Sequence, residues 1–341
     1  MAVTLSDVAR EAGVSLATAS RAINGSADRT VRTDLRERVL AAAERLRYSP
    51  DANAQAMARG RTIAIGLIVH EIADAYFSTI ASGVTSAAER AGLVVTLAST
   101  DRDTARELTF VDLMQRQRAR AIILVGGRFD DDTSNDRLAA ALAEYRSRGG
   151  GVAVIGQPLL GVDTVTIQNR ASTRDLAHQL HGLGYRRFAV LAGPENHLTA
   201  RERVEGFRDA LAELGAPVPR DLVIHGPFTR DGGYDGTAEL ASRGALEDVE
   251  LVFAVNDVMA VGAMAAARAA GLSIPGDVAF AGFDDILTLR DITPSLTTIR
   301  LPLTDMGAMV TEMALSPAKD EPRIVPVDGE VILRDSTPRL R

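Results

Sequence analysis

Residues 4–24 read TLSDVAREAGVSLATASRAIN, two short helical patterns that meet at Gly13. In the first, Leu5, Val8 and Ala9 recur at helical spacing, and Thr4 with Asp7 three positions on has the form of a capping box. Gly13 supplies the backbone freedom for a sharp turn, and Ser15 is a natural N-cap for a second helix running to about Asn24. On that helix Ala19, Ala22 and Ile23 face inward, while Leu16, Ala17, Ser20 and Arg21 are left for an outside partner. Two helices joined by a short glycine-containing turn form a helix-turn-helix, the unit that lays its second helix in the major groove of DNA. An ordinary helical hairpin has the same pattern, so the neighbouring sequence must separate the two.

Composition narrows the field. The chain has 341 residues, long enough for two or three domains, with 46% hydrophobic and only 4% aromatic residues, which fits an aliphatic α/β core. It has no cysteine, so thiol nucleophiles, disulfides and thiolate metal sites are excluded. The N-terminus lacks a signal-peptide pattern and the longest apolar runs, such as 258–267, are about half a membrane span. A cytoplasmic protein without membrane contact is expected. Residues 1–61 hold ten arginines against seven acids, net +3, while the remainder holds 28 basic against 38 acidic residues, net −10. A basic head on an acidic body results, with only the head suited to phosphate. Lysine occurs once, as Lys319, so phosphate contacts fall to arginine and backbone amides.

Beyond the helix-turn-helix, Leu35, Val39, Ala42 and Leu46 stripe a third helix, which Tyr48-Ser49-Pro50 ends because the residue before proline avoids helix. Arg32 precedes this helix, with Thr33 or Thr30 left to cap it. Asp51 can cap a short helix from Ala52 to about Ala58. It is too short to be stable alone, so it orders only when something packs on it. From Thr62 onward, strands are expected at 63–69, 94–99, 121–125, 152–155, 188–192, 222–225, 251–255 and 278–282. Helices fall between them, among others at 77–91, 106–117, 170–183, 201–214, 234–242 and 257–270. This rhythm predicts parallel sheets with helices on both faces, and the strands are too many for one sheet. The expected fold is a three-helix head with a hinge helix, followed by two parallel-sheet α/β subdomains whose facing strand ends make a cleft.

With these elements placed, the chain resembles the lactose-repressor (LacI/GalR) family of bacterial transcription regulators. The resemblance runs from residues 4–24 through AAAERLRYSPDANAQAMARGRTIAIGLIV, TARERVEGF, VFAVNDVMAVGAM, AFAGFDD and PSLTTIRLP to RDST at 334–337. It implies a DNA-binding domain at 1–50, a hinge helix and linker at 51–61, and an effector-binding and dimerisation domain at 62–341. Within the last, one subdomain takes about 62–167 and 302–328 and the other about 168–301 and 329–341. It also implies a homodimer, expected to act as a repressor on a near-palindromic duplex operator. The chain stops shortly after RDST without a heptad tail, so no tetramerising segment is expected.

The resemblance places DNA contacts at Thr4, Ser15, Leu16, Ala17, Thr18, Ser20, Arg21, Asn24, Tyr48, Asn53, Ala54 and Met57. Leu16, Ala17 and Arg21 fall where the family reads bases. Arg21 can bond guanine O6 and N7 together, or contact a phosphate; Leu16 and Ala17 offer apolar contact only. Met57 stands where the family usually has a leucine wedged into DNA; a staple to the partner hinge is compatible with that role.

The same resemblance places a small polar effector, in the first instance a sugar, at Tyr76, Phe77, Gln157, Arg203, Phe228, Asn256 and Asp284. A carboxylate accepts two adjacent hydroxyls, arginine and asparagine direct hydrogen bonds, and the phenylalanines offer apolar walls. Gln168 stands where the family often has aspartate. Phe77 also suits a core, Asp284-Asp285 a loop pair, and Asp257 rather than Asn256 the cap of the following helix. Arg201 and Arg203 point to different sides. No phosphate-binding loop, Ser-His-Asp elbow or metal cluster is present; His178 and His181 lack supporting carboxylates. Neither catalysis, a cofactor nor a metal is expected, and a solute-binding protein is the competing reading.

Overall fold

The computed structural model describes residues 3–24, 31–49, 61–317 and 319–340. The expected hinge helix, with Asn53, Ala54 and Met57, lies outside these residues, as does Thr30. The chain divides into two compact units, one reaching to Ile63 with Gln117–Ala119 and the other comprising the rest.

The head contains α1 (Leu5–Ala12), α2 (Leu16–Asn24) and α3 (Thr33–Arg45). The Thr4–Asp7 capping box forms in full. Gly13, at φ +61°, closes α1 with amides of Gly13 and Val14 donating to Arg10 and Ala9 carbonyls, a Schellman turn in which glycine avoids the Cβ penalty. The amide of Thr18 donates to Ser15 Oγ at 3.1 Å. The core is small-residue packing: Val8, Ala9, Ala12, Ala19, Ala22, Val39 and Ala42 are buried together. Two expectations are corrected. Helix α3 stops at Arg45 before the proline is reached, because Arg47 turns left-handed and Tyr48 N donates back to Ala43 O at 2.8 Å. Thr33 is the first helical residue; the capping position is Arg32, which makes no side-chain cap and pairs instead with Asp34.

The body contains two parallel sheets. The larger orders its strands as β11-β5-β4-β3-β1-β2, from β1 (Ala64–Val69), β2 (Val94–Ser99), β3 (Ala121–Val125), β4 (Gly151–Ile155), β5 (Asp163–Ile167) and β11 (Ile324–Val327). The smaller runs β7-β6-β8-β9, from β6 (Phe188–Gly193), β7 (Val223–His225), β8 (Leu251–Ala254) and β9 (Ala279–Ala281). Helices follow the first three strands, α4 (Ala75–Arg90) after β1, α5 (Thr104–Arg116) after β2 and α6 (Asp132–Ser147) after β3, while β4 leads directly into β5. The second sheet carries α7 (Asn169–Gly182), α8 (Leu198–Glu213), α9 (Arg230–Ser242) and α10 (Asp257–Ala269). Strands β1, β3, β6 and β8 are buried almost throughout, as strands covered on both faces must be.

Four strands went beyond the expected set. Strand β5 reads DTVTI and β11 reads IVPV, neither an apolar run; Pro326 is tolerated because β11 is an edge. The others, β10 (Thr298–Arg300) and β12 (Glu330–Ile332), pair antiparallel. Helix α11 (Leu303–Leu315) returns to lie against α4, where a Cβ on Gly83 would sit 2.1 Å from Thr304 O, so the two backbones touch. The chain thus passes between the sheets three times, after β5, after β10 and after β11. These passages lie together: Gln168 N donates to Val327 O at 2.9 Å, and Gly329 N to Ser172 Oγ at 3.0 Å.

Helix α10 corrects a third expectation. Asn256 is its cap, with Oδ1 accepting from Met259 N at 3.0 Å. Asp257 is the first helical residue and fully buried, accepting from Thr298 Oγ1 at 2.7 Å and Ile286 N at 3.1 Å. Burial pushes its carboxyl from 3.8 up to about 7 despite those bonds. Ionisation therefore opposes folding: this group's share of stability is intact below its unfolded pKa of 3.8 and is lost as pH rises through about 7. The full effect is on the order of 4 kcal/mol. The difference in urea midpoint between wild type and Asp257→Asn should move in the variant's favour from about pH 5 to about pH 8; a difference independent of pH would remove Asp257 as the titrating group.

Candidate functional site

Two surfaces gather the residues singled out above. On the head, α2 presents Leu16, 51% exposed, and Ala17, also exposed. Ser20, Arg21 and Asn24 are half-buried, and Asn24 Nδ2 donates to Ser20 Oγ. Arg21 folds back so that Nε donates to Ala17 O at 3.0 Å. Ser15 and Thr18 share a hydroxyl hydrogen bond of 2.8 Å, and Thr4 is committed to its capping box. Tyr48 packs half-buried on the head core.

The second surface is a cleft in the body with about 560 Å³ of empty space, part of it open to solvent. Tyr76, Phe77, Gln157, Arg203, Phe228, Asn256 and Asp284 all line it. The reason is topological. His70 follows β1, Gly127 follows β3, Gln157 follows β4, Asn169 follows β5, Phe228 follows β7, Asn256 follows β8 and Asp284 follows β9. Both sheets turn their carboxyl ends toward one space, where ligands of open α/β sheets bind.

At the floor lies Arg203, 3% exposed. Its Nε donates to Asn169 Oδ1 at 2.9 Å, one terminal nitrogen to Val255 O at 2.7 Å and the other to Asp284 Oδ1 at 3.2 Å. The guanidinium also lies 3.5 Å from the Phe283 ring centroid, a cation–π contact. Arg201 points outward and pairs with Asp130. Asp284 has φ +122° and Asp285 φ +55°, so two non-glycine residues occupy left-handed backbone. They divide the work: Asp284 meets Arg203, while Asp285 is held by Arg300 at 2.7 Å and Arg334 at 2.6 Å. Burial holds the Asp284 carboxyl well above its usual range, opposed by Arg203.

The opposite wall rests on a second buried ion pair. Arg128 donates to both oxygens of Glu107 at 2.8 Å, and His70 Nε2 shares Glu107 Oε1 at 3.1 Å. Burial alone would raise Glu107, but the bonds from His70 and Arg128 bring it down to about 2. Links cross the cleft: Gln157 Nε2 donates to Thr199 Oγ1 at 3.0 Å and to Glu202 at 3.2 Å, and Arg102 donates to Phe228 O at 3.0 Å.

Sequence reasoning missed several lining residues: His70, Asp74, Arg102, Asn169, His197 and Thr199. All of them sit within six residues of a strand's carboxyl end, and that position was the available cue. Phe77 belongs both to the core cluster and to the lining, so its two readings coexist.

Comparison with known proteins is consistent with both surfaces. Residues 4–51 match the family described as bacterial regulatory proteins of the lacI family, and residues 62–328 match periplasmic binding proteins and the sugar binding domain of that family. The transcriptional regulator GalR of Escherichia coli is 32% identical over 94% of this chain and 90% of its own. The lac repressor dimer bound to operator and the anti-inducer ONPF superposes with a TM-score of 0.83 at 25% identity, covering 99% of this chain and 100% of that one. The regulator CelR in complex with cellobiose gives 0.70 at 29% identity, over 98% and 99%. Matched along both its head and its body, the chain belongs to the LacI family: it is a DNA-binding transcription regulator with a ligand-binding domain, and not an enzyme.

Proposed function

We propose that this regulator is a homodimeric repressor whose grip on a near-palindromic operator is weakened when a small polar effector, a sugar or sugar derivative, occupies the cleft. The observation that carries this reading is the Arg203–Asn169–Asp284 cluster, a buried polar floor beneath aromatic walls at the meeting of two strand-end edges. Such a site suits recognition: its carboxylate is paired with a guanidinium and its walls include aromatic and amide side chains. A solute-binding protein alone would have no need of the matched head at 4–51.

Leu16, Ala17 and Arg21 then read bases, with Thr4, Ser15, Thr18, Ser20, Asn24 and Tyr48 contacting or positioning the backbone and Asn53, Ala54 and Met57 acting from the hinge. Arg21 must leave Ala17 O to reach a guanine, a swap of one hydrogen bond for two. In the body, Tyr76, Phe77 and Gln157 grip the effector from one side and Arg203, Phe228, Asn256 and Asp284 from the other. A ligand that touches both sides favours the closed pairing of Gln157 with Thr199 and Arg102 with Phe228. It shifts the equilibrium by its preference for that state.

Selection of duplexes from a random library should yield near-palindromic sites; absence of any enrichment would refute operator recognition. Arg21→Ala should lower preference for the selected site about tenfold or more per half-site while leaving weak, salt-sensitive binding. Asp284→Asn keeps the side-chain shape but removes the charge facing Arg203. It should leave operator affinity within about threefold and weaken the effector response more than about tenfold, since breaking buried charge pairs typically costs several kcal/mol. Retention of the response would take Asp284 out of the ligand site.

A further inference from the structure

Beside the three chain passages, a further connection joins the two sheets without a covalent bond. Residues 126–131 follow β3, and residues 194–197 lead from β6 into α8. The two loops pair antiparallel at Phe129 and His197. Leu198 N donates to Arg128 O at 2.9 Å, and Asp130 N donates to Asn196 O at 2.8 Å. On the solvent side Arg201 Nη1 meets Asp130 at 2.7 Å. On the inner side the Phe129 and His197 rings lie edge to face at 4.9 Å, and His197 lines the cleft. Every group in this strap belongs to the protein itself.

The local chemistry is arranged for the strap. Gly127 lets the loops meet, because a Cβ there would sit 2.1 Å from Thr199 Oγ1 and 2.5 Å from His197 Cε1. Helix α8 begins without a side-chain cap. The amide of its first residue, Leu198, is an orphan donor within the helix, and a carbonyl from the loop of the other sheet satisfies it. Turning the sheets apart about the passages strips Leu198 N and Asp130 N of these acceptors and parts Arg201 from Asp130. The backbone bonds weigh more than the ion pair, whose two side chains are 44% and 56% exposed.

We infer that the pairing of 128–130 with 196–198 is a latch on the cleft. It sets how much of the population is closed before an effector arrives, and with it the basal grip on operator. This rests on the reading that closure releases DNA. Two opposite perturbations test it, with the Kd of the full chain for its selected duplex as the readout. Proline is at home at the first position of a helix, and His197 before it is already extended at φ −93°, ψ 116°. Leu198→Pro therefore deletes one strap bond and spares the helix, while Leu198→Ala keeps the amide and serves as the comparison. In the other direction, Phe129→Cys with His197→Cys places thiols on an antiparallel pair that exchanges no bonds with itself, the spacing a disulfide requires. The chain has no other cysteine.

Oxidation of the double-cysteine variant should weaken operator binding more than about tenfold, and dithiothreitol should restore it, because only the open fraction binds. Leu198→Pro should tighten binding about threefold, and Leu198→Ala should stay within about twofold of wild type. Both signs reversed, tighter when oxidised and weaker in Leu198→Pro, would keep the latch and overturn the reading that closure releases DNA. Oxidised protein that binds operator as the reduced form does overturns the latch, as does a Leu198→Pro variant no different from Leu198→Ala. Thiols that stay free under oxidant show the loops apart, and that result overturns it too.

Discussion

A guanidinium taken out of water must have its charge and its N–H groups answered on the spot, and Arg203 imposes that demand on three separate segments. The start of α7 answers through Asn169, the end of β8 through Val255, and the turn after β9 through Asp284. The left-handed backbone at Asp284 is what delivers the carboxylate to its place. A buried pair of this kind adds little net stability relative to an apolar substitute, yet losing one partner is costly. Its effect is to fix geometry. The Glu107–Arg128–His70 cluster does the same for the facing wall, so both sides of the cleft are firm polar surfaces, with ring side chains between them.

The head is built on the opposite economy. Its core consists of valine and alanine side chains, which bury little area each, and backbone turns carry a large share of the specification. Gly13 and Arg47 both end helices with left-handed residues. Arg38 adds a bond to Ala12 O at 2.7 Å and Arg45 an ion pair with Glu11 at 3.2 Å. Such frugality leaves α2 free to present Leu16 and Ala17 to a partner, where a larger core would have claimed them.

Periodicity revealed those parts of the fold whose physics is local. The Thr4–Asp7 box, the turn at Gly13, and strands such as 94–99 and 121–125 follow from spacing alone, and the structure places them there. Strands β5, β10, β11 and β12 escaped because their residues form strands only through partners distant in sequence: Arg323 clasps Asp163 to join β11 to β5. The misassigned cap at Asp257 has the same origin. Aspartate caps well by propensity, but Thr298 and Ile286 claim this one from afar. In the cleft, family motifs pointed to Arg203, Asn256 and Asp284, while His197 and Asn169 carry no motif. Their importance arises from burial and from what stands opposite, neither of which a linear pattern records.

The three passages between the sheets carry a mechanical consequence. Because Gln168 is bonded to Val327 and Gly329 to Ser172 across them, and β10 is laddered to β12, the strands of the joint are sewn into a single narrow band. A band of that kind resists stretching and shear but yields to folding. Three chain passages held side by side leave bending at that band as the main freedom between the two sheets.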